Sequence, residues 1–278
     1  MSLLNAIAVE WVKLLRQRRT YLALGAIILI EAVVLFVAYY QGRSILDTLL
    51  DQLKDSFYFS GDLLNGNLIT YLLLNSLWFH LPLVLMIVVS GIFSSEYEDG
   101  TIRTLVLQGG SRSEIVRAKF VVAILFTLGC VGLLAVTAFV FSYLLFGTGD
   151  LVVYFDAFTF FPSEVAFKRL LWAFLLGSVS MVFYSLVSLT LAIWLRTTIK
   201  TWIVAAVFLI VSNMLVQLEL DVLAMPYWFY VNLNNNWQLT FLEEVPWNRI
   251  GSSLGIMLAY CVMIMAIGER MFIKRDIG

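Results

Sequence analysis

The chain has 278 residues, of which 61% are hydrophobic and only 13% are charged, and its formal net charge is −1. Soluble domains average about 45–50% apolar and about 25% charged residues, so this composition predicts an integral membrane protein. So small a net charge gives no overall attraction to nucleic acid, and we expect no nucleic-acid partner. The two cysteines, Cys130 and Cys261, lie inside apolar runs and show neither a disulfide nor a metal-binding pattern.

Residues 1–20 have the spacing of an amphipathic helix. Apolar residues fall on one side and charged or amide residues, such as Glu10 and Lys13, on the other. The apolar set is Leu3, Leu4, Ile7, Ala8, Trp11, Leu14 and Leu15. The segment is too polar to cross a bilayer, so it predicts a helix that lies in the headgroup plane.

Six apolar segments follow, and each is long enough to cross a hydrocarbon core of about 30 Å, which needs about 20 helical residues. They cover residues 21–40, 68–93, 120–146, 168–195, 201–220 and 250–272. The sequence therefore predicts an all-α integral membrane protein in which residues 1–278 form one transmembrane domain.

Lys and Arg residues indicate the orientation. If the amino terminus is cytoplasmic, most of them fall in the inner connections, whereas the outer connections are rich in Asp and Glu. This asymmetry predicts a multi-pass protein of the cell membrane with both termini in the cytoplasm.

The last outer connection, residues 222–248, is rich in Trp, Tyr and Phe but is interrupted by Pro226 and by the asparagines at 234–236. It is too apolar for a free loop and too broken to span. We expect short helices that re-enter the outer leaflet, where protein or a wet cavity must cover the irregular backbone.

Residues 94–119 form an ordered polar segment between the second and third spans. Its parts, in order, are the acids Glu96, Glu98 and Asp99, then Gly100 and Thr101, an amphipathic stretch at 102–108, the pair Gly109 and Gly110, and Ser111 to Glu114. The last part has the form of a capping box that opens a new helix. The alternative is a solvated loop with a turn at Gly100.

Motifs for chemistry are absent from the sequence. It contains no G-x-x-x-x-G-K-[ST] phosphate loop, no G-x-S-x-G and no H-E-x-x-H, and it has one histidine. We therefore expect no enzymatic activity, cofactor or metal site in this chain.

The string from Ser95 to Thr101, followed by Ser111-Arg112 and by Ala118-Lys119-Phe120, resembles the pattern of ABC-2 type transporter permeases. The likeness extends to the whole chain, with its amphipathic first helix, six spans, inner segment after the second span and hydrophobic hairpin before the last. One departure is Gly110, which stands where the family often has proline.

The resemblance implies a half-transporter that dimerises and binds a separate ATPase subunit, on which ATP and Mg²⁺ would sit. It also implies that the polar segment is a coupling helix held by that ATPase. The implied partner-coupling residues are Glu96, Tyr97, Glu98, Asp99, Gly100, Thr101, Arg103, Ser111 and Arg112. The acids and Arg103 would offer charge pairs to the soluble partner.

Two ionisable residues lie midway along predicted spans, Glu31 in the first and His80 in the second. A carboxylate at that depth costs about 2.5–3.5 kcal/mol or more, so it needs a partner or a proton. We predict a contact between Glu31 and His80 that fixes the two helices together. A proton relay is the alternative.

Two stripes are candidates for the translocation path: Tyr71, Asn75 and Phe79 on the second span, and Asn213 and Gln217 on the fifth. The resemblance places both spans along the central path of a dimer. Aromatic and amide side chains suit an amphipathic or lipid-like substrate better than an ion. Ordinary packing and hydrogen bonding between helices is the alternative.

Two functions follow from these patterns. The first is the permease subunit of an ATP-driven exporter for a hydrophobic or amphipathic compound, such as a drug, peptide or lipid. The second is a non-transporting membrane anchor that couples an ATPase to another machine. An ATP-independent channel is a third and weaker reading.

Overall fold

A computed structural model describes residues 3–50, 63–107, 111–154, 158–217 and 228–274. It confirms the six spans as long apolar helices. They are α2 (Arg18–Leu50), α3 (Gly66–Glu98), α5 (Arg112–Phe146), α6 (Ser163–Leu195), α7 (Thr198–Gln217) and α9 (Trp247–Lys274). Several extend beyond the predicted bounds, because helical hydrogen bonding continues into their polar flanks. The predicted end of the fifth span, residues 218–220, lies outside the described residues.

The remaining elements are short. Helix α1 (Leu3–Arg16) precedes the first span, and α4 (Thr101–Leu107) lies between α3 and α5. Strands β1 (Leu151–Tyr154) and β2 (Phe158–Phe161) pair antiparallel between α5 and α6, a hairpin that the sequence analysis did not predict. Helix α8 (Tyr230–Leu233) and a 3₁₀ helix (Asn236–Phe241) precede α9.

Helices α3 and α6 form the centre of the bundle. Helix α3 packs against α2, α5, α6 and α7, and α6 packs against α3, α5, α7 and α9. Small residues allow α3 and α6 to approach each other closely. Gly177 of α6 faces the Trp78 ring of α3, and the Ser188 hydroxyl of α6 donates a 2.7 Å hydrogen bond to the Met86 carbonyl of α3. Such small polar contacts are the usual means of helix association in membranes.

The short helices before α9 pack on this centre at the end of the bundle opposite α4. Trp237 and Phe241 are buried, and the Trp237 ring lies 5.1 Å from that of Trp78. The Arg169 guanidinium donates to the carbonyls of Thr240, Leu242 and Glu243. Short helices were predicted here, and the described part contains two. Residues 222–227 lie outside the described part, and re-entry into the leaflet stays a prediction.

We expect Gly177→Ala to destabilise the bundle by about 1–3 kcal/mol, the usual cost of overpacking. An added Cβ would lie 1.9 Å from the Trp78 ring, which itself packs against Trp237. Thermal unfolding in nanodiscs measures the loss. Gly132→Ala on α5 is the matched control, since no atom lies within 4 Å of its added Cβ. Equal melting temperatures for the two variants would contradict this packing.

Candidate site at the α4 end of the bundle

Helix α4 is separated from α3 by a sharp break at Gly100. Helix α3 ends when the Asp99 amide donates to the Ser95 carbonyl at 2.8 Å, and Gly100 then takes a φ of +67°, a left-handed conformation that favours glycine. Thr101 begins α4 directly afterwards. The predicted turn at Gly100 is thus a helix end followed by a new helix.

The predicted capping box at the start of α5 is confirmed. The Ser111 hydroxyl accepts from the Glu114 amide at 3.2 Å, and the Glu114 carboxylate accepts from the Ser111 amide at 3.1 Å. This reciprocal pair satisfies two backbone donors that the helix start leaves free. Gly109 and Gly110 lie outside the described residues.

Four charged side chains from three helices form a cluster beside this break, which we call the inner ion cluster: Glu10 and Lys13 of α1, Glu96 of α3 and Lys119 of α5. Lys119 Nζ is fully buried and lies 2.6 Å from Glu10 Oε2, 2.8 Å from Glu96 Oε2 and 3.1 Å from the Ile92 carbonyl. Lys13 Nζ lies 2.9 Å from Glu10 Oε1 and 3.1 Å from Glu96 Oε1. Each carboxylate oxygen therefore faces a lysine.

The formal charges of the cluster sum to zero. Lys119 Nζ donates hydrogen bonds to Glu10 Oε2 and to the Ile92 carbonyl, and it forms an ion pair with Glu96 Oε2, which has no hydrogen-bond partner among the described residues. Burial raises the pKa of Glu10, but the charges and hydrogen bonds of Lys119 and Lys13 outweigh it and hold that pKa below the ordinary 4.5. Burial lowers the pKa of Lys13, but Glu10 and Glu96 outweigh this effect and raise it above the ordinary 10.5. Both groups therefore stabilise the fold in their charged forms.

A second polar contact fixes the corner between α1 and α2 onto α3. Arg19 Nη2 donates to the Gly91 carbonyl at 2.6 Å and to the Ser95 hydroxyl at 3.1 Å, while its Nε donates to Gln17 Oε1 at 2.7 Å. A Cβ at Gly91 would lie 1.6 Å from the guanidinium, so glycine leaves the space that Arg19 occupies.

The end of α3 also holds the start of α7. The Glu98 carboxylate accepts from the Thr198 amide at 2.8 Å and from its hydroxyl at 2.7 Å. The Arg196 guanidinium lies 5.6 Å from the centre of the Tyr97 ring, within cation–π range. The turn between the fourth and fifth spans is therefore fastened to the same helix end as α4.

Helix α9 reaches this end as well. Its Glu269 accepts hydrogen bonds from the Ser113 hydroxyl and from Arg117 Nε on α5, the latter at 2.9 Å. Arg112 Nη1 donates to the Ile273 carbonyl at 3.2 Å. The first turns of α5 are thus fastened to the last span.

These contacts show what the predicted coupling residues do within the single chain, and their role toward a partner stays a prediction. Glu96 was expected to offer its charge to a soluble partner, and both of its oxygens pair with lysines of this chain. Glu98 is occupied by Thr198. Asp99, Gly100, Thr101 and Ser111 are exposed, Tyr97 and Arg112 are partly buried, and the Arg103 side chain lies outside the described residues.

The sequence analysis missed Glu10, Lys13, Arg19 and Glu269 as members of this site. Glu10 and Lys13 were noted only as the polar side of α1. The structure buries Ala6, Glu10 and Leu14 of α1 and leaves Leu4 and Arg16 exposed, so the buried face does not coincide with the predicted apolar side. The sequence offered one signal for this site, an acid next to apolar residues on a helix expected to lie at the membrane surface. It gave no indication of the partner, because Lys119 lies 109 residues further along the chain.

The predicted contact between Glu31 and His80 is wrong. Glu31 is 2% exposed and accepts a 2.8 Å hydrogen bond from the Thr137 hydroxyl on α5. His80 is exposed on α3, and its Nδ1 lies 2.9 Å from the Ser76 carbonyl of the same helix. Glu31 lies on the side of α2 that faces α5, so matching depth did not bring the two residues together.

The two predicted path stripes lie on neighbouring helices, since α3 packs against α7. Tyr71 is half-buried against Phe241, while Phe79 is 44% exposed. The amides of Asn75 and Asn213 each donate to a carbonyl one turn earlier in their own helix, at 2.9 Å. The Gln217 side chain lies outside the described residues.

The fold and this site define a polytopic α-helical membrane protein whose spans are fastened together beside the short helix α4, of which Thr101 and Thr104 are exposed and Ile102 is buried. The chain belongs to the family described as ABC-2 family transporter protein, whose model matches residues 6–213. The match runs from α1 into α7 and includes the inner ion cluster. Membership in this family indicates the membrane component of an ABC transporter and implies pairing with an ABC ATPase. Among curated proteins, no sequence matches the chain.

We expect Lys119→Met to destabilise the protein by about 3–5 kcal/mol, because it leaves Glu10 and Glu96 buried without their shared partner. Thermal unfolding in nanodiscs measures the effect. Lys200→Met removes an exposed lysine of α7 and is the matched control, with an expected change within about 0.5 kcal/mol.

A double-mutant cycle of Lys119→Met with Glu10→Gln isolates the contact between α1 and α5. We expect a coupling energy of about 0.5–3 kcal/mol, since the two side chains touch. Strictly additive losses would contradict a shared cluster.

Acid should weaken the cluster in a defined range. Because the pKa of Glu10 is lower in the folded protein, its stabilisation is present above pH 4.5 and is lost as the pH falls below that value through the folded pKa. We expect Glu10→Gln to reduce the slope of stability against pH in this acid range, measured by chemical unfolding. Glu164→Gln, at an exposed position in the first turn of α6, should keep the wild-type slope.

Proposed function

We propose that two copies of this chain form the membrane part of an ABC exporter that moves a hydrophobic or amphipathic compound, such as a drug, peptide or lipid, out of the cell. ATP and Mg²⁺ bind to separate ATPase subunits, which dock on the α4 end at the cytoplasmic face. The observation that carries this proposal is that α4, whose Thr101 and Thr104 are exposed, directly follows a span that the inner ion cluster pairs with its neighbours.

The connection of α4 to the spans gives a mechanism for coupling. Glu96 lies at the end of the helix before α4, and Lys119 lies in the second turn of the helix after it, so the two flanking spans are paired directly across the break. Glu10 and Lys13 tie α1 to the same pair. A displacement of α4 by a closing ATPase therefore reaches α1, α3 and α5 as one unit.

The exposed residues around the break form the docking surface. Asp99 and Thr101 stand free of the cluster on either side of Gly100, and Ser111 caps α5 nearby in the sequence. Glu96 is paired with lysines of this chain, so Asp99 supplies the negative charge at this surface. A positive side chain on the ATPase would complement it.

The middle of α3 supports a central path. Ser76, Phe79 and His80 are exposed on this helix in the single chain, near the centre of a span. Polar groups at that depth are costly against lipid, so a second copy or a wet path should cover them. Asn213, which is partly buried, lies on α7, and α7 packs against α3. An aromatic and amide lining suits an amphipathic substrate.

The non-transporting anchor remains the second candidate because of one observation. The amides of Asn75 and Asn213 already have hydrogen-bond acceptors in their own helices, so neither needs a substrate. Both candidates predict ATPase binding at the α4 end, and only the exporter predicts a response to cargo.

The function is tested in proteoliposomes that contain this chain and its ATPase subunit. We expect lipophilic compounds to stimulate ATP hydrolysis, and His80→Leu to reduce that stimulation several-fold while the complex stays intact. Asp99→Lys should lower copurification of the ATPase about tenfold, because one interfacial charge pair contributes on the order of 1.5 kcal/mol. Glu243→Lys, at the opposite end of the bundle, is the control for Asp99→Lys.

Wild-type copurification of the ATPase with Asp99→Lys would contradict docking at this surface. An intact complex whose ATP hydrolysis responds to no lipophilic compound would contradict the exporter and favour the anchor.

A further inference from the structure

A groove of about 370 Å³ lies between α2 and α5, on helices other than those of the proposed path. Its lining is mostly apolar and aromatic, and includes Ile28, Leu35, Phe36, Tyr40, Phe141 and Leu145. Phe36 and Tyr40 are 63% and 69% exposed, so the groove opens sideways from the bundle. A molecule dissolved in the bilayer can therefore enter it directly.

Glu31 is the one carboxyl group among the residues that line the groove. It is 2% exposed, and its Oε2 accepts from the Thr137 hydroxyl. Its Oε1 is buried, and no described residue forms a hydrogen bond with it. The Thr137 hydroxyl also lies 3.0 Å from the Leu133 carbonyl and 3.1 Å from that of Leu134, so its single proton is shared among three acceptors.

A bond between helices does not account for this arrangement. If the only role of Glu31 were to join α2 to α5, an amide side chain at this position could accept the same hydrogen bond from Thr137. The carboxyl group instead leaves its second oxygen, Oε1, buried without a hydrogen bond, which is destabilising. The carboxyl group adjoins an apolar groove of small-molecule size, which is the usual form of a ligand site with one orienting polar group.

We propose that the groove binds a lipophilic amine, whose ammonium group donates a hydrogen bond to Glu31 Oε1 and whose apolar body packs on Phe36, Tyr40 and Phe141. Aromatic ring faces attract cations, and a carboxylate with an ammonium ion forms a pair without net charge, which suits a low-dielectric site. An anionic amphiphile is repelled by the same carboxylate. A neutral alcohol gains only a weaker hydrogen bond.

This site goes beyond the proposed transport function. It uses α2 and α5, whereas the proposed path uses α3 and α7, and its test needs no ATPase. A failure of transport in the reconstituted complex would leave the amine site standing, and loss of the amine site would leave the docking of the ATPase unchanged.

The test uses the full chain in nanodiscs and two photoreactive probes, a diazirine-bearing dodecylamine and the dodecanol with the same chain and diazirine. We expect the amine to label peptides of α2 and α5 with about tenfold higher affinity than the alcohol, the difference between a charged and a neutral hydrogen bond. In Glu31→Gln the preference for the amine should disappear. Glu164→Gln, an exposed acid of α6, should retain it.

Ala32→Trp provides a second variant that leaves Glu31 and Thr137 in place. Ala32 lines the groove and is exposed, so a large ring there fills the site without entering the packed bundle. We expect it to abolish labelling by the amine while the melting temperature stays unchanged. This variant also tests whether the amine binds in the groove if Glu31→Gln fails to fold.

Three labelling results would each overturn the proposal. They are equal labelling by the amine and the alcohol, an unchanged preference for the amine in Glu31→Gln, and full labelling of Ala32→Trp. Efficient disulfide formation between two copies of Phe36→Cys would also overturn it, because a second copy of the chain would then cover the groove.

Discussion

A buried lysine paired with two acids holds this structure together at the end where α4 lies. Lys119 is the only one of the four charges in the inner ion cluster that is fully inaccessible, and it draws in Glu10 from α1 and Glu96 from α3. Burying these charges is unfavourable unless every one is paired. Separating any one of these charges from its partners is costly, so the cluster fixes the relative positions of α1, α3 and α5. The net contribution of the intact cluster to the free energy of unfolding is small.

This constraint explains why the polar segment between α3 and α5 is so ordered. Glu96 and Glu98 face inward or across to α7, and Gly100 turns the chain immediately after them. Among the described residues between 98 and 111, the exposed ones are Glu98, Asp99, Gly100, Thr101, Thr104 and Ser111. One segment thus serves two physical roles. Its buried charges fix the spans, and its exposed residues are available to a soluble subunit.

Inside the membrane, polar groups are divided between two surfaces. On α3, Ser76 and His80 are exposed beside Phe79, a surface that suits coverage by a second copy or a wet path. On α2, Glu31 lies beside an apolar groove with one oxygen unmatched. Asn75 and Asn213 are satisfied within their own helices. These polar groups therefore fall into three kinds, namely exposed, buried with an unmatched oxygen and satisfied within their own helix, which composition alone does not distinguish.

The sequence by itself determined the six spans, the amphipathic first helix, the break at Gly100, the capping box at Ser111 and the family, because these depend on local periodicity, helix-end chemistry and an ordered motif. Only the tertiary structure decided the partners of the charged and polar side chains. Glu10 meets Lys119 across 109 residues, and Glu31 meets Thr137 in place of His80. Depth along a helix can be counted from the sequence, but the direction in which each side chain faces follows from how the helices pack, and that is a property of the whole bundle.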